Sequence, residues 1–183
     1  MKEKLASVRI GRRTVAVAIF FGAHLEHAEV IRLSSDIGSA LRRVPAIVQR
    51  LLDQFEVTTV ALESSPIRAE RRTSKLQEAL VAQLRAGAIA IWPVAFADLC
   101  RHFSIAPVRT RHALRQLASK IFPGLGGNSQ SSLDWDAALL GLHVQIERIL
   151  SVIPNEWSNV PPMKGASLQE NSNAVHSSAA SVA

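Results

Sequence analysis

The chain is poor in several things, and each shortage removes a class of protein. A single cysteine, Cys100, occurs in 183 residues; no internal disulfide can form, and a reducing compartment is expected. No apolar run is long enough to span a bilayer, since the longest nearly uncharged stretch, residues 86–97, is broken by Pro93 and falls well short of about 20 residues. The opening mixes Lys2, Glu3 and Lys4 and continues with Arg9, Arg12 and Arg13, unlike a secretory signal. These shortages predict a soluble, cytoplasmic protein with no membrane partner. Lysine is scarce as well, with five against sixteen arginines. Acids are missing altogether between Asp98 and Asp134.

What is present suffices for one folded domain. Hydrophobic residues make up 48% and charged residues 20%, which supports a core of ordinary size. The formal net charge is +6. From Pro154 to Ala183 the composition turns to Ser, Asn, Pro and Ala without apolar periodicity, so 154–183 is expected to be a disordered tail and 1–153 the domain. The basic surplus belongs to the domain, which carries +7.

Thr14–Phe20 and Ala28–Leu33 read as strands of a hairpin broken at Gly22, with Leu5–Ile10 as the opening of the first and Gly11 as a bulge or turn. Leu41, Val44, Val48, Leu51, Leu52 and Phe55 recur at helical spacing; Ser35, Asp36 or Ser39 could cap that helix, and Pro45 predicts that it starts or kinks there. Val57–Leu62 suits a buried strand, and Leu76, Leu80 and Leu84 give a helix over 73–86 ending at Gly87. Ile89–Val94 is a further strand. Helices over 96–103, 110–121 and 134–150 follow, the last two separated by a Gly- and Ser-rich loop. Strands followed by alternating helices and strands predict a mixed α/β sheet with helices on both faces.

Glu63 stands at the end of the buried strand, where open α/β sheets place ligands. Asp134 and Asp136 open the last helix. There a carboxylate serves either as a cap and dipole partner or as a functional group reaching the strand-end acid. Two basic stretches flank these acids: Arg68, Arg71, Arg72 and Lys75, then Arg101, Arg109, Arg111, Arg115 and Lys120. Arg111 and Arg115 share a helical face. Such groups are either solvated helix faces or phosphate contacts that give salt-dependent, largely sequence-independent binding. Cys100 is expected to fill core space, His24 and His27 to sit in a solvated turn, His143 to be a satisfied core or interface residue, and Trp92 and Trp135 to pack. Gly124, Gly126 and Gly127 make no phosphate loop.

The order of these segments resembles the RuvC-type Holliday junction resolvases of the RNase H-like superfamily. The stretches that carry the resemblance are Val8-Arg9-Ile10-Gly11-Arg12-Arg13-Thr14 with the strand after it, Ala61-Leu62-Glu63, and Leu133-Asp134-Trp135-Asp136-Ala137-Ala138; together they span about 5–150. The resemblance implies an RNase H-like mixed sheet, N-terminal antiparallel strands then parallel ones. It implies catalytic roles for Glu63, Asp136 and Asp134, with Glu63 and Asp136 as ligands of Mg²⁺. It also implies a cleft flanked by Arg68, Arg71, Arg72, Lys75, Arg109, Arg111, Arg115 and Lys120, nucleic acid as partner, DNA rather than RNA, and a possible homodimer.

Three departures bear on activity. The family's first acid falls on Arg9, the first of its closing pair falls on Leu133 with Asp134 one place out of register, and Ser64-Ser65-Pro66-Ile67 lacks the aromatic that often follows the strand-end Glu. A guanidinium in place of an acid shared by two ions is expected to weaken or abolish metal binding. Arg9 is therefore expected to occupy or neutralise the site by pairing with Glu63, Asp136 or both. The expected function is nucleic-acid binding with weakened or lost cleavage. The alternatives are an active Mg²⁺-dependent structure-selective endonuclease using Asp134, and a pseudo-nuclease interaction module, the last two having Mg²⁺ and no cofactor respectively.

Overall fold

A computed structural model of the chain describes residues 4–64, 70–103, 111–125 and 133–152. The expected tail 154–183, the loop at 126–132, and Arg68 and Arg109 lie outside them. The elements run β1 (Lys4–Ile10), β2 (Thr14–Phe21), β3 (His24–Arg32), α1 (Ile37–Gln54), β4 (Thr59–Glu63), α2 (Arg71–Ala86), β5 (Ala90–Val94), α3 (Phe96–Phe103), α4 (Arg111–Ile121) and α5 (Leu133–Val152). One sheet has the order β3-β2-β1-β4-β5. Strands β1, β2 and β3 pair antiparallel, whereas β4 lies parallel to both β1 and β5. The predicted mixed sheet is what forms.

The N-terminal region holds three strands, where the sequence suggested two. Gly11 is a turn: its N–H donates to the Thr14 carbonyl at 2.8 Å, so Leu5–Ile10 pairs with the next strand as a separate β1. A Cβ at Gly11 would lie 2.5 Å from Leu133 Cδ1, which explains why glycine suits this position. Gly22, at φ +59°, makes the second reversal, and β3 begins at His24 rather than at Ala28. Helix α1 does not start at Pro45. It begins at Ile37, where the Asp36 carboxylate accepts from the N–H groups of Gly38 and Ser39 at 3.2 and 2.6 Å, and it runs on through the buried Pro45. Pro93 is tolerated because β5 is an edge strand.

Strand parity divides the core in two. On one face Ala6, Val8 and Ile10 of β1 and Val60 and Leu62 of β4 pack with Val44, Val48, Leu51 and Leu52 of α1 and Leu76, Leu80 and Leu84 of α2. On the other, Leu5, Ala16, Ala18, Phe20 and Ala61 meet Leu99 and Cys100 of α3, Leu114 and Ala118 of α4, and residues 137–140 and Val144 of α5. Helices therefore cover both faces, as predicted. The second face includes several small residues, and α5 lies close upon it: a Cβ on Gly141 would fall 2.3 Å from the Phe20 ring and 2.9 Å from Ser7 Oγ. The buried Ser7 hydroxyl is satisfied by donating to the Ala137 carbonyl at 2.6 Å. This parity matters for function, because Arg9 shares the α5 face with Leu5 and Ser7, and Glu63 shares it with Ala61.

Candidate functional site

Register brings the first two site residues together. The parallel pairing of β1 and β4 ends at Val8 opposite Leu62, so Arg9 and Glu63 leave adjacent strand ends on the same face. The Glu63 side chain is 2% exposed, and Arg9 Nε lies 2.6 Å from its Oε2. The Nε–H does not line up with that oxygen as a hydrogen bond, so this contact is an ion pair. Arg9 also donates from Nη1 to the Ile10 carbonyl at 2.6 Å. Burial pulls the Arg9 pKa below the ordinary guanidinium value; Glu63 opposes that shift, while neighbouring Arg111 adds to it.

Helix α4 supplies two more cations. Arg111 and Arg115, four residues apart, turn toward the acids. Arg111 grips Glu63 with both terminal nitrogens, at 2.5 Å to Oε1 and 3.3 Å to Oε2, and its Nη1 lies 3.7 Å from Asp136 Oδ2. Its guanidinium rests 4.1 Å from the centre of the Phe96 ring. Arg115 makes the fork-to-fork pair with Asp136, Nε to Oδ1 at 2.9 Å and Nη2 to Oδ2 at 2.8 Å. Hydrogen bonding to Asp136 raises the Arg115 pKa, and Asp134 adds to the attraction. Three guanidinium groups thus enclose two buried carboxylates, with Arg111 bridging them.

The remaining predicted residues divide by environment. Asp134 is buried in the first turn of α5, and its Oδ1 accepts from the Trp135 N–H at 3.0 Å. Arg72 donates to the carbonyls of Ser34 and Ser35, tying α2 to the segment after β3. Arg71, Lys75 and Lys120 are exposed. Arg12, beside the first turn, lies 3.5 Å from Glu70. His27 stacks on Phe55 at 5.1 Å, and His143 is buried on α5. Sequence reasoning found Arg9 against Glu63 and missed the inward turn of Arg111 and Arg115. The available signal was an i,i+4 arginine pair on a helix with no acid of its own, followed by two acids in the next helix.

The site is a poor match for the Mg²⁺ that the resemblance implies. A hard divalent ion takes oxygen ligands in near-octahedral geometry. All four oxygens of Glu63 and Asp136 already face guanidinium nitrogens, and the β1 position between the acids carries Arg9. In this arrangement the donor set does not fit the ion.

The architecture matches solved resolvases. RuvC of Thermus thermophilus aligns with a TM-score of 0.64 at 16% identity, over 80% of this chain and 96% of that one; the same protein in complex with a Holliday junction substrate aligns equally well at 15% identity. The yeast mitochondrial Holliday junction resolvase Ydc2 gives a TM-score of 0.59 at 11% identity, over 80% of this chain and 81% of that one. The fowlpox virus resolvase, in complex with Holliday junction DNA, gives 0.50 at 17%, over 82% and 99%. No family model matches the chain, and no curated protein matches it in sequence. The likeness is one of fold: the chain has the RuvC-type RNase H-like architecture.

Proposed function

We propose that the chain is a nucleic-acid-binding protein on a RuvC-type scaffold, with DNA as its partner, in which metal-dependent phosphodiester cleavage is weakened or lost. One observation carries this reading: Glu63, the strand-end acid, is held by Arg9 at 2.6 Å and by both arms of Arg111. Cleavage in this superfamily needs divalent ions between carboxylates, one activating water and another stabilising the leaving oxygen. Here protein cations take the positions those ions would need. Support for binding comes from the exposed Arg71 and Lys75, which open α2 just after the Glu63 strand end, and from Lys120 on α4. The solved resolvases of this architecture that hold junction DNA point the same way.

The test is fluorescence anisotropy of the full chain with a labelled four-way junction and a matching duplex, from about 50 to 200 mM salt, together with a nicking assay in Mg²⁺ and Mn²⁺. Affinity is expected to fall steeply with salt, Arg71→Glu with Lys75→Glu to weaken it by about tenfold or more, and no nick to form. Failure to retain either DNA at the lowest salt would overturn the reading in favour of a protein-interaction module. Metal-dependent nicking by the unaltered chain that Glu63→Gln removes would overturn it in favour of an active nuclease.

A further inference from the structure

A second cluster lies farther along α5. His143 and Glu147 are four residues apart on one helical face, and His102, in the last turn of α3, comes to meet them. One donor atom from each residue falls within 4.8 Å of the other two. His102 Nδ1 and Glu147 Oε1 are 3.4 Å apart. Ligands about 2.0–2.1 Å from a tetrahedral zinc ion are separated by about 3.3 Å, so this pair is already at ligand spacing and His143 needs only a small side-chain adjustment to complete the set. The two imidazoles stand edge to face, with centroids 4.9 Å apart and planes at 83°.

Two further observations point to a ligand rather than to a plain His–carboxylate pair. His143 is 6% exposed, yet among the described residues its Nδ1 has no hydrogen-bond partner. Buried polar atoms of that kind are uncommon without an ion or a water to satisfy them. The cluster also opens onto a pocket of about 280 Å³ lined by Trp92, Pro93, Asp98 and Arg101 besides the three residues themselves. Three protein ligands beside such a space leave a fourth coordination position to water or a small anionic ligand.

We propose that His102, His143 and Glu147 form a binding site for a divalent transition-metal ion, with Zn²⁺ the best fit, that clamps α3 to α5 and keeps one open position facing the pocket. Two imidazoles and one carboxylate favour zinc over the all-oxygen preference of Mg²⁺ and Ca²⁺. The site is separate from the arginine-bound acids: His143 lies seven residues beyond Asp136, about 10 Å along the helix. It stands independently of the nucleic-acid reading.

The experiment is titration of the chelator-treated full chain with Zn²⁺ against a chromophoric competitor, followed by Co²⁺ substitution and visible spectroscopy. One equivalent is expected to bind, raising the Tm, and Co²⁺ is expected to give the intense visible bands of a four-coordinate site. His102→Ala and His143→Ala should each weaken Zn²⁺ binding by at least about 100-fold, more than the loss of a ligand's own supporting partner typically costs. Because His143 is buried, Glu147→Gln, on a partly exposed side chain, serves as the variant least disruptive to folding, with circular dichroism as the control. The proposal is overturned if no equivalent binds. It is equally overturned if binding survives both His102→Ala and Glu147→Gln, or if it is lost on Glu63→Gln and untouched by those two.

Discussion

Arg9 governs the charge of the acid site. With it, Arg111 and Arg115 offset Glu63, Asp136 and Asp134 one for one; Arg9→Asp would leave four carboxylates against two guanidinium groups, a deficit of two charges that a single divalent ion makes up. With Zn²⁺ already held by His102, His143 and Glu147, we therefore expect Arg9→Asp to bind one further Mn²⁺, seen by electron paramagnetic resonance, that the Zn²⁺-loaded unaltered chain does not; equal Mn²⁺ binding by the two would refute this account of the site. Asp136→Asn leaves Arg115 facing a neutral amide. Breaking a fully buried pair costs about 3–5 kcal/mol, and because the Arg115 side chain is 29% exposed we expect about 1–3 kcal/mol, read from the urea midpoint. His143 makes a separate, pH-dependent contribution. Burial, reinforced by His102, holds its pKa below the ordinary histidine value of about 6.5, while Glu147 and Asp98 oppose the shift; Arg101 also lines that pocket. A histidine depressed in the folded state binds fewer protons there than when unfolded, so its stabilising effect is complete above about 6.5 and is lost as the pH falls below it. In metal-free protein the Tm should drop through that range, and His143→Asn should flatten the slope.

At the scale of elements, the close seating of α5 on the sheet is the sensitive joint. Alanine is the better helix former by about 1 kcal/mol, but a Cβ at Gly141 would sit 2.3 Å from the Phe20 ring, which is too large a conflict for that gain to offset. Gly141→Ala is expected to lower the denaturation midpoint, and a raised midpoint would show that α5 can lift away without loss. How much of this was legible follows from which signals are local. Leu76, Leu80 and Leu84 announced α2, and Glu63 at the end of a β-branched run announced a strand-end acid, because both are patterns within one element. The division of residues 4–21 into two strands was hidden, since Gly11 turns under the side chain of Leu133, over 100 residues away. Pro45 misdirected the start of α1 because the Asp36 cap and the buried face together outweigh one lost backbone hydrogen bond. Arg111 and Arg115 read as a solvated face or as phosphate contacts; their acid partners come from β4 and α5, and the spacing along α4 hints at an inward pair without identifying those partners.

For the whole molecule, the sheet separates two jobs. The α1–α2 face carries the bulky aliphatic core, while the α5 face, where Ala, Gly and Ser are interspersed with larger side chains, lets helices approach until charged side chains from β1, β4, α4 and α5 can touch. The RuvC-type architecture is kept on both. The positive charge at its centre comes from Arg9, Arg111 and Arg115. Metal ions exchange with the surroundings, and an acid cluster without them repels a polyanion; guanidinium groups anchored on β1 and α4 do neither. The net charge of this pocket therefore does not depend on divalent ions in the surroundings, although salt still screens it. Adding EDTA is expected to leave the anisotropy-measured affinity for a four-way junction unchanged, and a loss of affinity on chelation would show that exchangeable ions take part. The counter-ions of the buried acids belong to the chain itself and cannot diffuse away.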